Sequence, residues 1–468
     1  MRTSAFTDDA LGTHDVVSLQ AALAAGDVSP GELRQAALER AEAVKRLNAV
    51  VTWLDEPAPD RGPFAGIPSF IKDNEDIAGY PTTFGSRATP RTPAAGPSRF
   101  VRDWQQLGLD TIGKSALPEF GLTATTEPIA HGPTRNPWDL AHSTGGSSGG
   151  SSGGSAALVA SGVVPLAHAN DGGGSIRIPA SCCGLVGLKP SRGRLASAEA
   201  MDIMPVNIVT QGVLTRTVRD TVAFYRAMAK VRPAADLPPI GPTAEPSKLR
   251  IGVITEGLAG LSVHPEVRDS VVVASKLCES LGHDVESITN PFGETIAHDF
   301  LRYWGMLAFS LRRLGGQVFG SDYAPSRMEP FSKYLSDYFT SIAPRMPGAI
   351  HRLRRFSLEH DQILDTYDIL ISPVLASPPV PIGHLGPDLA PREHLIRLLR
   401  YASFTAVQNV SGAPAISLPL GVSSDGLPIG IQFASGYGRE QVLLDLAASI
   451  EQASPWLRID QTPSTVQA

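Results

Sequence analysis

Two glycine-rich segments carry the serines that could act as nucleophiles. The first is STGGSSGGSSGGS, residues 143–155, and the second is NDGGGSIRIP, which begins at Asn170. Glycine lets the main chain approach a ligand closely and leaves N–H groups free to bind it. A flexible linker is the alternative for the first segment, but the apolar run AALVASGVVPLA that follows it must be buried. We therefore predict that the two segments form two walls of one site.

A general base for such a serine is more readily found among the lysines than among the histidines. The histidines in or near the two segments have no acid at a spacing typical of a triad: His131, His142 and His168. Burial lowers the pKa of a lysine and leaves a neutral amine that can accept a proton. Lys72 follows the apolar run Ile67–Ile71 and precedes a polar turn, so its stem can be buried. From position alone, surface pairing with Asp73 or Glu75 remains the alternative.

Two short motifs match other enzyme classes letter for letter. The GxSxG pattern of a nucleophile elbow occurs around Ser147 and around Ser151, but an elbow follows a strand, and TRNPWDLAHST does not resemble one. Residues 108–115, GLDTIGKS, match the phosphate loop GxxxxGK[ST]. Such a loop follows a strand and opens a helix, whereas here a helical pattern precedes the motif and the strand-like LDTI lies inside it. A P-loop nucleotidase is the alternative from a different functional class.

The elements that must position these residues alternate between strands and helices. Hydrophobic periodicity predicts two helices between Val16 and Val50, a strand at Ile67–Ile71, and further strands at LRIGVIT, YDILISPV, PAISLPLGV and GLPIGIQFAS. AALVASGVVPLA is predicted to be helical. This order predicts an α/β fold: one domain, residues 1–468, with a central mixed β-sheet covered by helices on both faces. Residues 300–339 are rich in aromatic side chains and predict a helical insertion.

The composition excludes several classes of partner. The chain has 468 residues, a formal net charge of −6 and no basic cluster, so neither nucleic acid nor an anionic membrane is expected to bind. Cys182, Cys183 and Cys278 do not form a zinc-site pattern or a disulfide framework. With no apolar leader at the N-terminus, we expect a cytoplasmic protein with reduced thiols. The chain is expected to be a monomer or homodimer.

Together these segments resemble the amidase signature family. The main match is STGGSSGGSSGGSAALVASGVVPLAHANDGGGSIRIPASCCGLVGLKPSRGR, residues 143–194, within a signature core at 66–220. Further matches are GIPSFIKDNEDIAG, GKSALPEFG, TRNPWD, QGVLTRTVRD, YDILISPV, SGAPAISLPLG and GLPIGIQ. The resemblance extends from about Gly66 to Trp456, except for a variable region at about 285–360. It implies hydrolysis of carboxylic amides. The sequences of these motifs are most similar to those of broad-range bacterial amidases and nylon-oligomer hydrolases.

The resemblance also implies a catalytic triad. The nucleophile of the family matches Ser175, the bridging serine with a cis peptide bond matches Ser151, and the base matches Lys72. Because the GGSS motif is doubled, Ser147 is the alternative to Ser151; the short distance to SAALVASG favours Ser151. The triad would form an acyl-enzyme on Ser175 and then hydrolyse it with water, so the resemblance implies that neither a metal nor a cofactor is needed.

The loop before Ser175 is implied to hold the oxyanion through main-chain N–H groups: Gly172, Gly173, Gly174 and Ser175. Gly172 departs from the family, in which Thr or Ile is usual, and Asp171 and Arg177 match positions that brace the loop. Substrate contacts are expected at Thr125, Gly150, Trp304 and Phe309. The aromatic residues of the variable region favour an apolar or linear amide as the small-molecule substrate. A carbamate or ester hydrolase and a glutamine amidotransferase subunit are alternatives within the fold.

Overall fold

The chain alternates β-strands with α-helices in a computed structural model that describes residues 2–56, 61–144 and 151–461. Its strands are β1 (Val50–Trp53), β2 (Pro68–Lys72), β3 (Asp110–Ser115), β4 (Leu166–Asp171), β5 (Val186–Lys189), β6 (Thr210–Thr215), β7 (Arg250–Val253), β8 (Asp284–Ser287), β9 (Ile369–Pro373), β10 (Ala415–Val422) and β11 (Pro428–Ala434). Its helices are α1 (Val16–Ala25), α2 (Pro30–Ala43), α3 (Arg99–Gln105), α4 (Gly153–Ala160), α5 (Arg177–Cys183), α6 (Val218–Val231), α7 (Pro265–Ser280), α8 (Glu294–Phe319), α9 (Pro330–Ile342), α10 (Met346–Thr366), α11 (Pro391–Tyr401), α12 (Ala406–Ser411) and α13 (Glu440–Ala453).

The strands form two sheets. The larger sheet has the order β4-β6-β5-β10-β11-β9-β7-β8, antiparallel from β4 to β9 and parallel from β9 to β8. This is the mixed sheet that the sequence predicts. The smaller sheet has the order β1-β3-β2, and it contacts the larger one where the Ser69 hydroxyl donates a hydrogen bond to the Leu166 carbonyl at 3.1 Å.

Local signals explain the helix boundaries near the N-terminus. The Ser29 hydroxyl accepts a hydrogen bond from the Glu32 amide, the Glu32 carboxylate accepts one from the Ser29 amide, and Pro30 occupies the first turn of α2. This capping box satisfies donors that would otherwise lack partners. Gly26 ends α1 in the left-handed conformation, φ 77°. The two helices expected between Val16 and Val50 are therefore confirmed.

The segment that matches the phosphate loop is a strand. Residues 110–115 form β3, in which Ser115 pairs with Lys72 of β2. The Lys114 amine lies 2.8 Å from the Asp73 carboxylate, and both side chains are fully buried. A phosphate loop exposes its backbone N–H groups and its lysine to a nucleotide, so the interpretation as a P-loop nucleotidase is wrong.

The apolar run AALVASGVVPLA is only partly helical. Helix α4 ends at Ala160, Gly162 adopts φ 89°, and the chain re-enters the sheet as β4 from Leu166. Periodicity cannot separate a buried helix from a buried strand in a run that is apolar throughout. The glycine and the proline after it mark the boundary that the prediction missed.

The aromatic-rich region is helical, as the sequence predicts. It comprises most of the long helix α8, a short connection and most of α9, and α8 packs against α9 and α10. In the described part of the chain, no helix is both long enough and apolar enough to span a membrane. All three cysteines are buried free thiols.

Candidate active site

The amine of Lys72 is buried at the end of β2. It donates hydrogen bonds to Ser151 Oγ at 2.6 Å, Ser152 Oγ at 3.0 Å and Asn170 Oδ1 at 2.5 Å. The side chain has no exposed surface. Surface pairing with Asp73 or Glu75 is therefore wrong: Asp73 binds Lys114, as described above.

The surroundings of Lys72 favour a neutral amine. Burial lowers the pKa of Lys72 to about 7, although the negative charges of Asp171 and Glu75 oppose this effect. Its three hydrogen-bond partners are uncharged oxygens, which compensate less for lost hydration than an adjacent carboxylate would. Near neutral pH, a substantial fraction of the Lys72 amine can therefore accept a proton.

Ser151 joins the lysine to Ser175. The Ser151 hydroxyl donates to Ser175 Oγ at 2.9 Å, and each serine is only 3% exposed. Ser151 lies just before α4, and Ser175 lies between β4 and α5, so the two glycine-rich segments do meet. Ser147 and Gly150 lie outside the described residues, as does the peptide bond between Gly150 and Ser151, where the cis geometry is expected.

The loop that holds Ser175 is bound by a buried ion pair. The Asp171 carboxylate accepts from the amides of Gly174 at 2.7 Å and Ile176 at 3.2 Å, and it lies 2.8 Å from the Arg177 guanidinium. Burial alone would raise the pKa of Asp171, but Arg177 holds it at about 2. A charged carboxylate therefore orients the loop at neutral pH.

A second layer fixes the same loop from the side of α12. The Thr405 hydroxyl donates to the Gly173 carbonyl, and the Asn409 amide donates to the Asp171 carbonyl at 2.9 Å. Gly174 has φ 131°, and a Cβ atom there would lie 2.5 Å from Thr405 Oγ1. Only glycine fits this position, so the close packing accounts for at least one glycine of the GGGS motif.

A cavity of about 650 Å³ opens beside these groups. Lys72, Ser151, Asn170 and Gly172 contribute to its lining. Most of the remaining wall is apolar and includes side chains from α8 and from three connecting segments: Phe84, Phe120, Met201, Met204, Leu307, Leu311, Leu314, Val318 and Phe319. An apolar cavity with a few polar groups at one point is typical of a small-molecule site.

The four residues expected to contact substrate differ in position. Trp304 lines the cavity, and its indole N–H donates to the Leu122 carbonyl at 3.1 Å. Phe309 does not line the cavity but packs against Phe339 with ring centroids 4.8 Å apart. Thr125 is also absent from the lining; its hydroxyl is buried and donates to the Leu385 carbonyl at 3.1 Å. Gly150 lies outside the described residues.

Several polar residues at this site were not predicted from the sequence. Asn170 and Ser152 both contact the Lys72 amine, and His168 Nδ1 accepts from the Lys72 amide at 3.2 Å. Burial lowers the pKa of His168 to about 3, so this histidine is neutral. The alternation in LAHAND, with His168 and Asn170 on one face of a strand, is the signal that could have identified them.

Comparison with known proteins identifies the family of the chain. The sequence profile of the amidase family matches residues 32–444. A protein of Mycobacterium leprae named "Putative amidase AmiC" is 43% identical, covering 98% of this chain and 99% of that protein. The 6-aminohexanoate-cyclic-dimer hydrolase of Pseudomonas sp. strain NK87 is 34% identical over 92% and 93%. A solved structure of 6-aminohexanoate cyclic dimer hydrolase has a TM-score of 0.85 at 32% identity over 98% and 99%.

The chain belongs to the amidase signature family. It is a hydrolase that acts on the C–N bond of amides. Within the described residues there is no group of three or more His, Cys, Asp or Glu side chains that could hold a metal ion.

Proposed function

We propose that this enzyme hydrolyses apolar or linear amides through an acyl-enzyme on Ser175, with Lys72 as base and Ser151 as proton bridge. The observation that carries the proposal is the continuous contact from Lys72 Nζ to Ser151 Oγ and on to Ser175 Oγ, at 2.6 and 2.9 Å. Both steps are within the range for direct proton transfer between positioned groups.

The reaction begins with neutral Lys72. Its amine takes the Ser151 proton while Ser151 takes the Ser175 proton, and Ser175 Oγ bonds to the amide carbon. The carbonyl oxygen becomes an oxyanion, which the N–H groups of Gly172, Gly173 and Ser175 are proposed to stabilise. Each such donor typically lowers the barrier by roughly 3 kcal/mol. The Gly174 N–H, which the sequence also predicts as a donor, instead donates to the Asp171 carboxylate at 2.7 Å.

Collapse of the tetrahedral intermediate breaks the C–N bond. The leaving nitrogen takes a proton from Ser151, which is reprotonated by Lys72, and the amine departs. Water then attacks the acyl carbon and gives one proton through Ser151 to Lys72. The bond between that carbon and Ser175 Oγ breaks, Ser175 Oγ takes the proton back through Ser151, and the carboxylic acid departs. The cycle restores Ser175, Ser151 and neutral Lys72 without any further reactant.

The preference for apolar amides is supported by the cavity wall described above. A glutamine amidotransferase subunit would need a polar pocket for the substrate amide and carboxylate groups, whereas this wall is largely aliphatic and aromatic. Carbamates and esters present the same carbonyl to the same nucleophile, so their hydrolysis is the second candidate function on this site. A panel of aryl amides, aliphatic amides, glutamine, carbamates and esters separates these classes, and we expect apolar amides to give the highest kcat/KM.

Active-site labelling tests the nucleophile. A sulfonyl fluoride or fluorophosphonate should add one equivalent at Ser175, identified by peptide mass spectrometry. Ser175→Ala should remain folded by circular dichroism, bind no reagent and show no acyl-enzyme. Labelling at Ser151 instead of Ser175 would overturn the proposed order of the relay.

A further inference from the structure

One face of helix α8 forms an uninterrupted wall of the cavity. The residues of α8 in the lining recur at helical spacing: Trp304, Met306, Leu307, Ser310, Leu311, Leu314, Gly315, Val318 and Phe319. Ser310 is the one polar side chain among them. Gly315 keeps the wall close to the neighbouring segment, because a Cβ atom there would lie 2.4 Å from the Tyr323 ring.

This wall begins beside the oxyanion loop. A Cβ atom placed on Gly172 would lie 3.8 Å from the indole ring of Trp304 and 3.2 Å from Val209. The lack of a side chain at Gly172 therefore lets the oxyanion loop pack close to the start of the α8 face, and Ser151, Gly172 and Trp304 line the same cavity. Trp304 is the first residue of the wall that a substrate leaving the loop would meet.

The far end of the wall is exposed to water. Leu314 is 44% exposed and Val318 is 57% exposed, and Ile203, which is 78% exposed, also lines the cavity. Large apolar side chains in water are unfavourable, and grouped at the mouth of a cavity they are typical of a binding surface. The apolar lining thus extends from the reacting groups to the protein surface.

We propose that the α8 face is a channel for an extended alkyl chain of the amide substrate, with Leu311 midway and Val318 at its outer end. This inference rests on the proposed function, since the alkyl chain is taken to extend from the amide group that Ser175 attacks. From Trp304 to Val318 the helix rises about 21 Å at 1.5 Å per residue. Bonds of about 1.5 Å give room for on the order of fifteen chain atoms.

The charged groups in the lining constrain the end of that chain. Apart from Lys72, the ionisable residues that line the cavity are Glu75, Asp76 and Glu199. A carboxylate on a chain that stops short of the exposed outer end would be buried against apolar side chains in a cavity that already holds acidic groups, which is unfavourable. We therefore assign the channel to chains with an uncharged end.

Chain-length series test the proposal. Two series are compared. Acyl p-nitroanilides from acetyl to hexadecanoyl carry the alkyl chain on the acyl side of the amide, and N-alkyl acetamides of the same lengths carry it on the amine side. In one series, kcat/KM should rise with each methylene, by at most about fourfold per carbon, and level off at on the order of fifteen atoms. Terminal carboxylates on chains too short to reach the outer end should remove most of the gain. A flat response in both series would overturn the channel.

Substitutions on α8 test where the channel lies. Leu311→Trp fills the midpoint, so the plateau should move to roughly half the chain length and the ratio of kcat/KM for long chains to that for short chains should fall. Val318→Asp should lower kcat/KM at least tenfold for the longest chains only. Leu358→Asp on α10, where the leucine is 59% exposed and away from the cavity, is the matched control and should change neither end of the series. Equal losses in both Asp variants would contradict the assignment.

The outcome can be separated from that of the relay. If Ser175 is labelled and short substrates are cleaved but length has no effect, the channel fails and the relay stands. If Ser175 is not labelled, the proposed function itself fails.

Discussion

Asp171 and Arg177 form a buried ion pair that encloses the nucleophile loop. Guanidinium Nη2 lies 2.8 Å from Asp171 Oδ1 and Nε lies 2.9 Å from Oδ2, with neither side chain exposed. The same two oxygens accept the amides of Gly174 and Ile176, the residues on either side of Ser175. One carboxylate therefore connects the stability of the fold to the position of the proposed nucleophile.

Removal of the arginine should show both effects. Arg177→Met leaves the Asp171 charge buried without its partner, which typically costs roughly 3 to 5 kcal/mol of unfolding free energy. It should also lower kcat by on the order of a hundredfold, with a smaller change in KM, because the oxyanion donors lose their orientation. Urea denaturation and steady-state kinetics measure the two quantities.

A second buried pair provides the control for this prediction. Arg194 lies 2.7 Å from Glu440, which binds the Ser191 amide rather than the nucleophile loop. Arg194→Met should destabilise to a comparable degree while kcat of the folded fraction stays within a few-fold of wild type. If both variants lose kcat equally, the loss reflects general destabilisation.

Ser151 and Ser152 can be distinguished although both contact Lys72. Only Ser151 also contacts Ser175, so Ser151→Ala should interrupt the relay and lower kcat/KM by three or more orders of magnitude, a typical range for a group involved in proton transfer. Ser152→Ala removes one hydrogen bond to the amine at 3.0 Å and should cost about tenfold or less. A larger loss of kcat/KM in Ser152→Ala than in Ser151→Ala would exclude Ser151 as the bridge.

Activity should depend on pH through Lys72. Since burial lowers the pKa of Lys72 to about 7, the neutral amine predominates above pH 7 and becomes tenfold scarcer for each unit below it. We expect kcat/KM to rise through pH 7 and to level off on the alkaline side. Undiminished turnover at pH 5.5 would argue against a lysine base.

Stability should respond to the same group. The unfolded Lys72 holds its proton up to about pH 10.5, whereas the folded lysine releases it from about pH 7. Between these values the unfolded chain binds more protons, so this residue makes stability rise with pH. Lys72→Met should therefore gain stability relative to wild type as pH falls from 10 to 7, by at most about 1.4 kcal/mol per unit. If the difference in unfolding free energy between Lys72→Met and wild type stays constant from pH 7 to pH 10, the lowered pKa of Lys72 is refuted.

Two aromatic residues of α8 should separate specificity from packing. Trp304→Ala removes part of the cavity wall and should alter the ranking of long and short substrates, with a loss of roughly 1 to 3 kcal/mol in transition-state binding for the long ones. Phe309 lies outside the cavity, so Phe309→Ala should lower stability and reduce kcat/KM by the same factor for all substrates. The comparison needs kcat/KM for the substrate panel and melting temperatures.

The sequence predicted the single strands and helices better than their long-range relationships. The apolar run before Lys72 identified β2 because a short buried strand has a local signature. That β2 belongs to a separate small sheet depends on pairing with β3, and no local pattern encodes this partner. Likewise, the count of aromatic residues indicated a substrate wall, but the rotation of α8 about its axis selects Leu307, Leu311 and Val318 for the cavity and turns Phe309 away. Asn170 was missed because an asparagine beside a glycine loop is typical of turns.

Two of the three proposed catalytic side chains, Lys72 and Ser175, adjoin strands of different sheets, and this has a consequence for folding. Lys72 ends a strand of the small sheet, whereas Ser175 follows β4 of the large one, and the sheets meet where the Lys72 amide donates to His168. Contacts between residues so distant in sequence form slowly, because long loops must close first. A refolding chain can thus regain its circular dichroism while the amine is still apart from the serines. The rate at which hydrolytic activity returns during refolding would then report the rate at which the two sheets pack together.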